Sequence, residues 1–252
     1  MPLITHQHRS AIHVRLITGT DTDVGKTWAT AATAAWHLAR GLRVHVDKPV
    51  QTGVAPGDPG DADTVAKLLG HPERLSTSEG VRLRAAMAPV DALTQARALK
   101  QCGMPPGDAG DVIESDEPAL PPLAWHLSRW QGLLEEADVL LIEGAGGVTV
   151  AWTEQGETPA DAALVLQAAG LSPAVDVVAR PGLGTQNHAQ LTLEHLAARG
   201  LRPDQLIVSR TSTHPDPVER ANLRFLSRLA AAKAGGIAVI PDGAARLGQL
   251  AL

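Results

Sequence analysis

Residues 16–27, LITGTDTDVGKT, constrain this chain more than any other part of its sequence. A short apolar run leads into Gly19, and Gly25, Lys26 and Thr27 open an alanine-rich segment without Gly or Pro, which favours a helix. A strand, a glycine loop and a helix in this order form a phosphate-binding loop, because backbone N–H groups and the helix dipole attract anions. The sequence therefore predicts a P-loop α/β fold that binds a polyphosphate.

The loop is a variant of the common pattern. Five residues lie between Gly19 and Gly25, one more than is usual before the Gly-Lys pair. Lys26 would supply a mobile positive charge, and Thr27 would supply a hydroxyl for Mg2+. A turn and helix cap with an incidental lysine is the alternative interpretation. We predict nucleotide contacts from the loop residues Gly19, Thr20, Asp21, Asp23, Val24, Gly25, Lys26 and Thr27.

Apolar runs alternate with helix-like segments along the rest of the chain. The predicted strands are 14–18, 42–46, 139–142, 174–179, 206–208 and 237–240, and the predicted helices are 26–40, 61–69, 123–137, 161–169, 187–199 and 218–233. Such alternation predicts a mostly parallel sheet with helices on both faces, formed by one domain over residues 1–252. Ligands of such sheets bind at the carboxyl ends of the strands.

Composition excludes several classes of protein. Aromatic residues make up only 2% of the chain, so the core must consist mainly of Ala, Val, Leu and Ile. The lone Cys102 cannot form an intramolecular disulfide, which favours a cytoplasmic location. The net charge of −5, with no long basic run and no long apolar run, argues against nucleic-acid binding and against a membrane-spanning helix. We expect a flexible tail at 1–12 and a surface loop or lid at 101–122.

Several polar residues follow the predicted strands and would meet at the same edge of the sheet. Lys48 is either a fixed charge for an anionic intermediate or a solvated lysine in a turn. Asp61 and Asp63 stand at a helix start, where acids bind a metal or simply complement the helix dipole. Glu143 ends an apolar strand, and a carboxylate there predicts a metal ligand and a cationic partner. The glycines at 144–147 would let a ligand approach the backbone.

Together these stretches resemble the dethiobiotin synthetase family. The matching motifs are ITGTDTDVGKT at 17–27, KPVQTG at 48–53, Asp61, IEGAGG at 142–147 and LGTQNH at 183–188, and they occur in the family's order. The resemblance implies an ATP-dependent ligase that converts 7,8-diaminononanoate (diaminopelargonate) and CO2 into dethiobiotin. It also implies Mg2+, a cytoplasmic homodimer, and a carbamate that ATP activates as a carbamic-phosphoric anhydride.

The resemblance assigns a role to each matching residue. Lys26, Lys48 and Thr22 would be catalytic, and the Mg2+ ligands would be Thr27, Asp61 and Glu143. The substrate-binding residues would be Thr22, Lys48, Thr52, Gly147, Thr185, Gln186 and Asn187, the last three acting on the partner's site. From the sequence pattern alone, Thr185 and Asn187 could equally cap a helix.

Two departures from the family's pattern affect these expectations. Ser209 stands where the family often has an adenine-reading Asn, so we expect weak discrimination between nucleotide bases and the use of other nucleoside triphosphates. Asp176 lies inside a predicted strand and needs a partner if it is buried. The alternatives to a ligase are a P-loop sensor or partitioning ATPase, which carries Lys where this loop has Asp21, and an inactive nucleotide-binding module.

Overall fold

A parallel β-sheet organises the part of the chain that the computed structural model describes, residues 13–102 and 119–243. Within these residues the strands are β1 (His13–Gly19), β2 (Val44–Thr52), β3 (Leu75–Leu83), β4 (Val139–Glu143), β5 (Ala174–Ala179), β6 (Gln205–Thr211) and β7 (Ile237–Pro241). Their order in the sheet is β3-β2-β4-β1-β5-β6-β7, and every neighbouring pair is parallel. The first strand therefore has its neighbours far along the chain.

Helices cover both faces of this sheet. They are α1 (Lys26–Leu38), α2 (Asp61–Leu68), α3 (Pro89–Gln101), α4 (Leu123–Glu136), α5 (Pro159–Ala168), α6 (Thr185–Ala198) and α7 (Pro217–Lys233). The alanines of α1 and the apolar residues of α2 form one core with one face of the central strands. Apolar residues of α3 to α7 form a second core on the other face. The prediction of a P-loop-type α/β fold with a mostly parallel sheet is confirmed.

Two elements were not predicted from the sequence, β3 and α3. The sequence of β3, LSTSEGVRL, is largely polar because this strand lies at the edge of the sheet and much of it is only partly buried. The predicted second strand was also too short, since β2 continues through Lys48 and Pro49 to Thr52. Lys48 therefore lies within a strand and not in a turn.

A buried polar network fixes α4 against β2. Asp47 is fully buried, and its carboxylate accepts hydrogen bonds from Ser78 Oγ at 2.7 Å and from Trp130 Nε1 at 2.8 Å. Arg129 donates to both carboxylate oxygens, at 2.6 and 2.7 Å. Because successive side chains of a strand point to opposite faces, the side chains of Asp47 and Lys48 lie on opposite faces of the sheet.

A second buried carboxylate also has its cation. Asp176 in β5 is fully buried, and Arg15 in β1 donates to both of its oxygens, at 2.8 and 2.7 Å. The expectation that Asp176 needs a partner is confirmed, and the pair joins two adjacent central strands.

The remaining expectations concern the ends of the chain and its middle. The predicted tail, 1–12, and most of the predicted surface loop, 101–122, lie outside the described residues. Gln101 ends α3, and Cys102 follows it as an exposed free thiol. Among the described helices, none has the length and apolarity that crossing a bilayer requires.

Candidate active site

A cavity of about 790 Å³ opens at the carboxyl ends of β1, β2 and β4. Nine of the predicted site residues line it: Thr22, Asp23, Gly25, Lys26, Thr27, Lys48, Thr52, Asp61 and Glu143. Chain segments that are distant in sequence thus converge on one site, as expected where parallel strands end together.

The phosphate loop connects β1 to α1. Gly25 has φ of +88°, and a Cβ at this position would lie 2.6 Å from Ser209 Oγ, so both the backbone conformation and the space require glycine. Lys26 Nζ donates to the backbone carbonyl of Asp21 at 2.9 Å. Burial, together with repulsion from Lys48, lowers the pKa of Lys26 to about 8. The loop therefore holds a lysine whose pKa lies well below its ordinary value.

Lys48 lies between two carboxylates. Its Nζ is 2.5 Å from Asp61 Oδ2 and 3.0 Å from Glu143 Oε1, and it donates to the carbonyl of Gly144 at 3.0 Å. Burial acts to lower the pKa of Lys48, but the charges of Glu143 and Asp61 outweigh burial and raise it above its ordinary value. Lys48 is thus a buried cation, and the expected cationic partner of Glu143 is identified.

Oxygen donors gather around Glu143 in a set that suits Mg2+. The Thr27 hydroxyl donates to Glu143 Oε1 at 2.8 Å. The Asp61 carboxylate contacts Lys48, the cation that also pairs with Glu143. Glu143 Oε2 is buried without a hydrogen-bond partner from the described part of the chain. Within the described ranges, no three or more His, Cys, Asp and Glu side chains are grouped so that they alone could hold a metal ion. Mg2+ needs fewer, since it binds through one or two carboxylates together with phosphates and water.

Asp63, Gly144 and Gly147 have roles within the fold, whereas Gly146 lines the cavity. Asp63 accepts from the backbone N–H of Gly60 at 3.2 Å, as a capping residue of α2 does. A Cβ at Gly144 would lie 2.8 Å from Trp152 Cζ2, so the close approach there is to the protein's own tryptophan and not to a ligand. Gly147 instead packs beside the backbone of the phosphate loop, where Val148 N donates to the Gly19 carbonyl at 3.1 Å.

Ser209 lies beneath the phosphate loop and not in the cavity wall. Its side chain is fully buried, and its hydroxyl donates to the Gly25 carbonyl at 3.1 Å. The next residue, Arg210, lines the cavity and has φ of +58°, an uncommon conformation for a non-glycine residue. The Nε atom of Arg210 lies 3.4 Å from Asp242 Oδ1. Base recognition by Ser209 stays a prediction that this geometry does not support.

Thr185, Gln186 and Asn187, the substrate-binding residues predicted to act on the partner's site, stand at the start of α6 and outside the cavity wall. The Thr185 side chain is fully buried, and no hydrogen-bond partner for its hydroxyl occurs in the described ranges. Gln186 Nε2 donates to Asn222 Oδ1 at 2.8 Å. Asn187 is exposed, and the neighbouring Leu183 is 86% exposed. The structure therefore does not bring these residues to the cavity of their own chain.

Sequence reasoning missed part of the cavity wall. Gln51 is buried, and its Oε1 accepts from the backbone N–H of Asp61 at 2.8 Å, which fixes the start of α2. No pattern in the sequence predicted the apolar part of the wall. It is formed largely by the segment that leads into α3 and by residues of α2. Its residues are Val54, Leu68, Ala86, Met87, Ala88, Pro89 and Val150.

The fold and the site define a P-loop nucleotide-binding protein of the α/β class. In agreement, a family model described as an AAA domain matches residues 13–241. Curated relatives specify the family: an ATP-dependent dethiobiotin synthetase BioD of Mycobacterium avium (strain 104) is 41% identical over 93% of this chain and 89% of its own length. The chain belongs to the dethiobiotin synthetase family.

Further relatives carry the same description. The Streptomyces avermitilis protein is 39% identical over 92% of this chain and 84% of its own length, and the Saccharopolyspora erythraea protein is 41% identical over 92% and 88%. Among solved structures, the MinC:MinD cell division protein complex of Aquifex aeolicus matches with a TM-score of 0.49 and 15% identity, over 92% of this chain and 82% of that chain.

Proposed function

We propose that this chain is an ATP-dependent dethiobiotin synthetase, which carboxylates 7,8-diaminononanoate with CO2 and closes the ureido ring. Membership of the family supports the reaction class. The observation that carries the proposal is the placement of Lys48, buried between Asp61 and Glu143 in the same cavity as the phosphate-loop Lys26. Two cations and two carboxylates in one site suit the transfer of a phosphoryl group to an anionic acceptor.

The reaction proceeds in three steps. One substrate amine attacks CO2 and loses a proton, which gives a carbamate. A carbamate oxygen then attacks the γ-phosphorus of ATP, ADP leaves, and a carbamic-phosphoric anhydride forms. The second amine attacks the carbonyl carbon, phosphate leaves, and the ring closes. None of these steps needs a nucleophile from the protein, so the protein contributes position and charge.

The cavity residues match these needs. Lys26 and Lys48 neutralise the carbamate and the phosphoryl group in transfer, and both are held by hydrogen bonds to other residues of the chain. Thr22 and Thr52 line the same cavity and hydrogen-bond the carbamate end of the diamine. Cations fixed in a partly buried site stabilise developing charge more strongly than solvated cations do.

Thr27, Asp61 and Glu143 would hold Mg2+ in this site. The buried, unpartnered Oε2 of Glu143 (within the described ranges) supports a cation at this point. When bound, Mg2+ neutralises charge on the β- and γ-phosphates. Lys48 contacts both carboxylates, so it also keeps them in place.

Omission of single components tests the reaction. With MgATP, bicarbonate and the diamine present, phosphate release and dethiobiotin formation should both occur, and neither should occur when one component is left out. An ATPase of the sensor or partitioning type would release phosphate without the diamine. An inactive nucleotide-binding module would release none, so either result contradicts the proposal.

The variant Lys48→Ala tests the residue that carries the proposal. We expect kcat to fall by about a thousandfold or more, since one fixed charge at the reacting group is lost. The exposed Lys67 of α2 provides the matched control, and Lys67→Ala should keep the wild-type rate. Wild-type turnover by Lys48→Ala would reject the assigned role.

The homodimer is also a proposal, and it gives the start of α6 its function. Asn187 would bind the substrate carboxylate in the partner's cavity, and the exposed Leu183 beside it supports a covered surface there. Lys48→Ala, which loses turnover, and Asn187→Ala, which loses affinity for the diamine, should then complement each other at a diamine concentration too low for Asn187→Ala to bind it. A random mixture would regain about 25% of wild-type activity, because half of the dimers are mixed and each has one intact site. No recovery would contradict the shared site.

Nucleotide selectivity completes the proposal. Ser209 offers the cavity no free hydroxyl, so we expect ATP to exceed other nucleoside triphosphates by less than about tenfold in kcat/KM. A strict requirement for ATP would show that other residues recognise the base.

A further inference from the structure

Asp21 places a carboxylate inside the phosphate loop, where its negative charge opposes the binding of a polyphosphate. Its Oδ1 accepts a hydrogen bond at 2.8 Å from the backbone N–H of Thr22. The backbone carbonyl of the same residue accepts from Lys26 Nζ at 2.9 Å. Asp21 therefore lies next to the lysine that must meet the phosphates, and its charge needs compensation.

Arg180 supplies a positive charge from the neighbouring strand. It directly follows β5, and the carbonyl of Val178 in that strand accepts from the backbone N–H of Thr20 at 2.9 Å, so the strand end is fixed against the loop. Arg180 Nη2 donates to Asp21 Oδ2 at 2.7 Å. Both carboxylate oxygens of Asp21 thus accept hydrogen bonds, one from the backbone of the loop and one from Arg180.

The other acid of the loop is in a different environment. Asp23 has a side chain that is 89% exposed, and its closest cation, Arg210 Nη1, is 3.8 Å away. Water and salt screen such a charge effectively. Asp21 has an exposed fraction of 45%, about half that of Asp23, so its charge is screened less and depends more on its ion pair.

We propose that Arg180 is a positioning residue for nucleotide binding: it neutralises and fixes Asp21, so that the loop presents Lys26 to the phosphates without an opposing charge. The inference rests on the proposed nucleotide site and deepens it. Removal of Arg180 leaves the Asp21 charge uncompensated, whereas removal of both charges also removes the repulsion that Asp21 exerts on the phosphates. A double-variant comparison therefore separates charge compensation from direct ligand contact.

The test measures the Kd for MgADP by calorimetry at low salt. Arg180→Met keeps the length of the side chain without its charge and should bind about tenfold more weakly. Raising the salt concentration from about 50 mM to about 500 mM should shrink that difference. The double variant Asp21→Asn/Arg180→Met should recover most of the affinity that Arg180→Met loses, and Arg180→Lys should keep most of the wild-type affinity.

A matched control is available at the other end of the sheet. Arg43 pairs with Asp138 at 2.9 Å beside the amino ends of β2 and β4, and Arg43→Met should bind MgADP as the wild type does. Thermal unfolding of every variant checks that the fold is retained. If Arg180→Met does not fold, the affinity of Arg180→Lys is compared with that of the wild type instead.

Three results would overturn the inference. The first is wild-type affinity in Arg180→Met, and the second is equal weakening in the single and double variants, which would indicate a ligand contact or a purely structural role. The third is an Arg180→Lys variant as weak as Arg180→Met. Wild-type protein that binds MgADP but shows no diamine-dependent phosphate release would refute the proposed reaction and leave this comparison intact.

Discussion

Removal of the Asp47 carboxylate should destabilise the fold far more than the loss of an ordinary surface ion pair. The carboxylate is fully buried and accepts four hydrogen bonds, two of them from Arg129, whose side chain is only 19% exposed. In Asp47→Ala the guanidinium loses its partner inside the protein, which costs about 3–5 kcal/mol of unfolding free energy. Arg129→Met should cost a similar amount, because it leaves the buried carboxylate unpaired.

The double variant distinguishes a buried pair from two independent contacts. Asp47→Leu/Arg129→Met removes both charges and fills the space with apolar groups, so its loss should be smaller than that of either single variant. Urea unfolding followed by circular dichroism measures these losses as shifts of the midpoint at constant slope. The exposed pair of Lys233 and Glu194 serves as the control, and Lys233→Met should cost less than about 1 kcal/mol. A loss below about 1 kcal/mol in Asp47→Ala, or additive losses in the double variant, would refute this reasoning.

Three further predictions concern a lysine, a histidine and a glycine. The pKa of Lys26 is lowered to about 8, and phosphates favour its charged form. ATP binding near pH 8 should therefore take up a proton, and affinity should fall by up to about tenfold for each pH increase of one above that value; calorimetry in buffers of different ionisation enthalpy measures the uptake, and none at pH 8 would contradict it. His126 is fully buried, and burial, aided by repulsion from Arg129, lowers its pKa from 6.5 to about 4. Because the unfolded chain binds this proton first as the pH falls, up to about 3 kcal/mol of stability should be lost between pH 6.5 and 4, and His126→Phe should show a shallower loss in urea unfolding. Gly144→Ala forces a Cβ to within 2.8 Å of the Trp152 ring and should cost about 2 kcal/mol, whereas Gly132→Ala in α4 meets open space and should stabilise slightly; equal melting temperatures for both variants would contradict this.

The sequence predicted the centre of the fold well because its signals there are local. Strand β4 is buried on both faces, so it has a continuous apolar sequence, and the phosphate loop carries its glycines and lysine within a single stretch. Glu143 at the end of that strand was correctly expected to have a cationic partner. The same local signals placed α1 and most of the other helices to within a few residues.

The edge of the sheet and the apolar wall of the site could not be predicted for the opposite reason. Only a small part of strand β3 is buried, so its sequence shows no clear apolar pattern. Its register is determined by its pairing with β2. The burial of Lys48 depends on Glu143, which is distant in sequence, so the residues around Lys48 could not distinguish a buried cation from a solvated one. Met87 and its neighbours line the cavity only because the chain returns there from β3 into α3.

The strand order has a consequence for synthesis of the protein on the ribosome. Strand β1 carries the phosphate loop and emerges first, yet its two neighbours in the sheet, β4 and β5, are among the later strands to be translated. A nascent chain that ends before Val139 therefore has neither a neighbour for β1 nor Glu143, the carboxylate that anchors Lys48. Nucleotide in the cell can therefore stabilise the polypeptide only after β4 and β5 have been translated, and a chain terminated earlier exposes an unpaired apolar strand that favours aggregation.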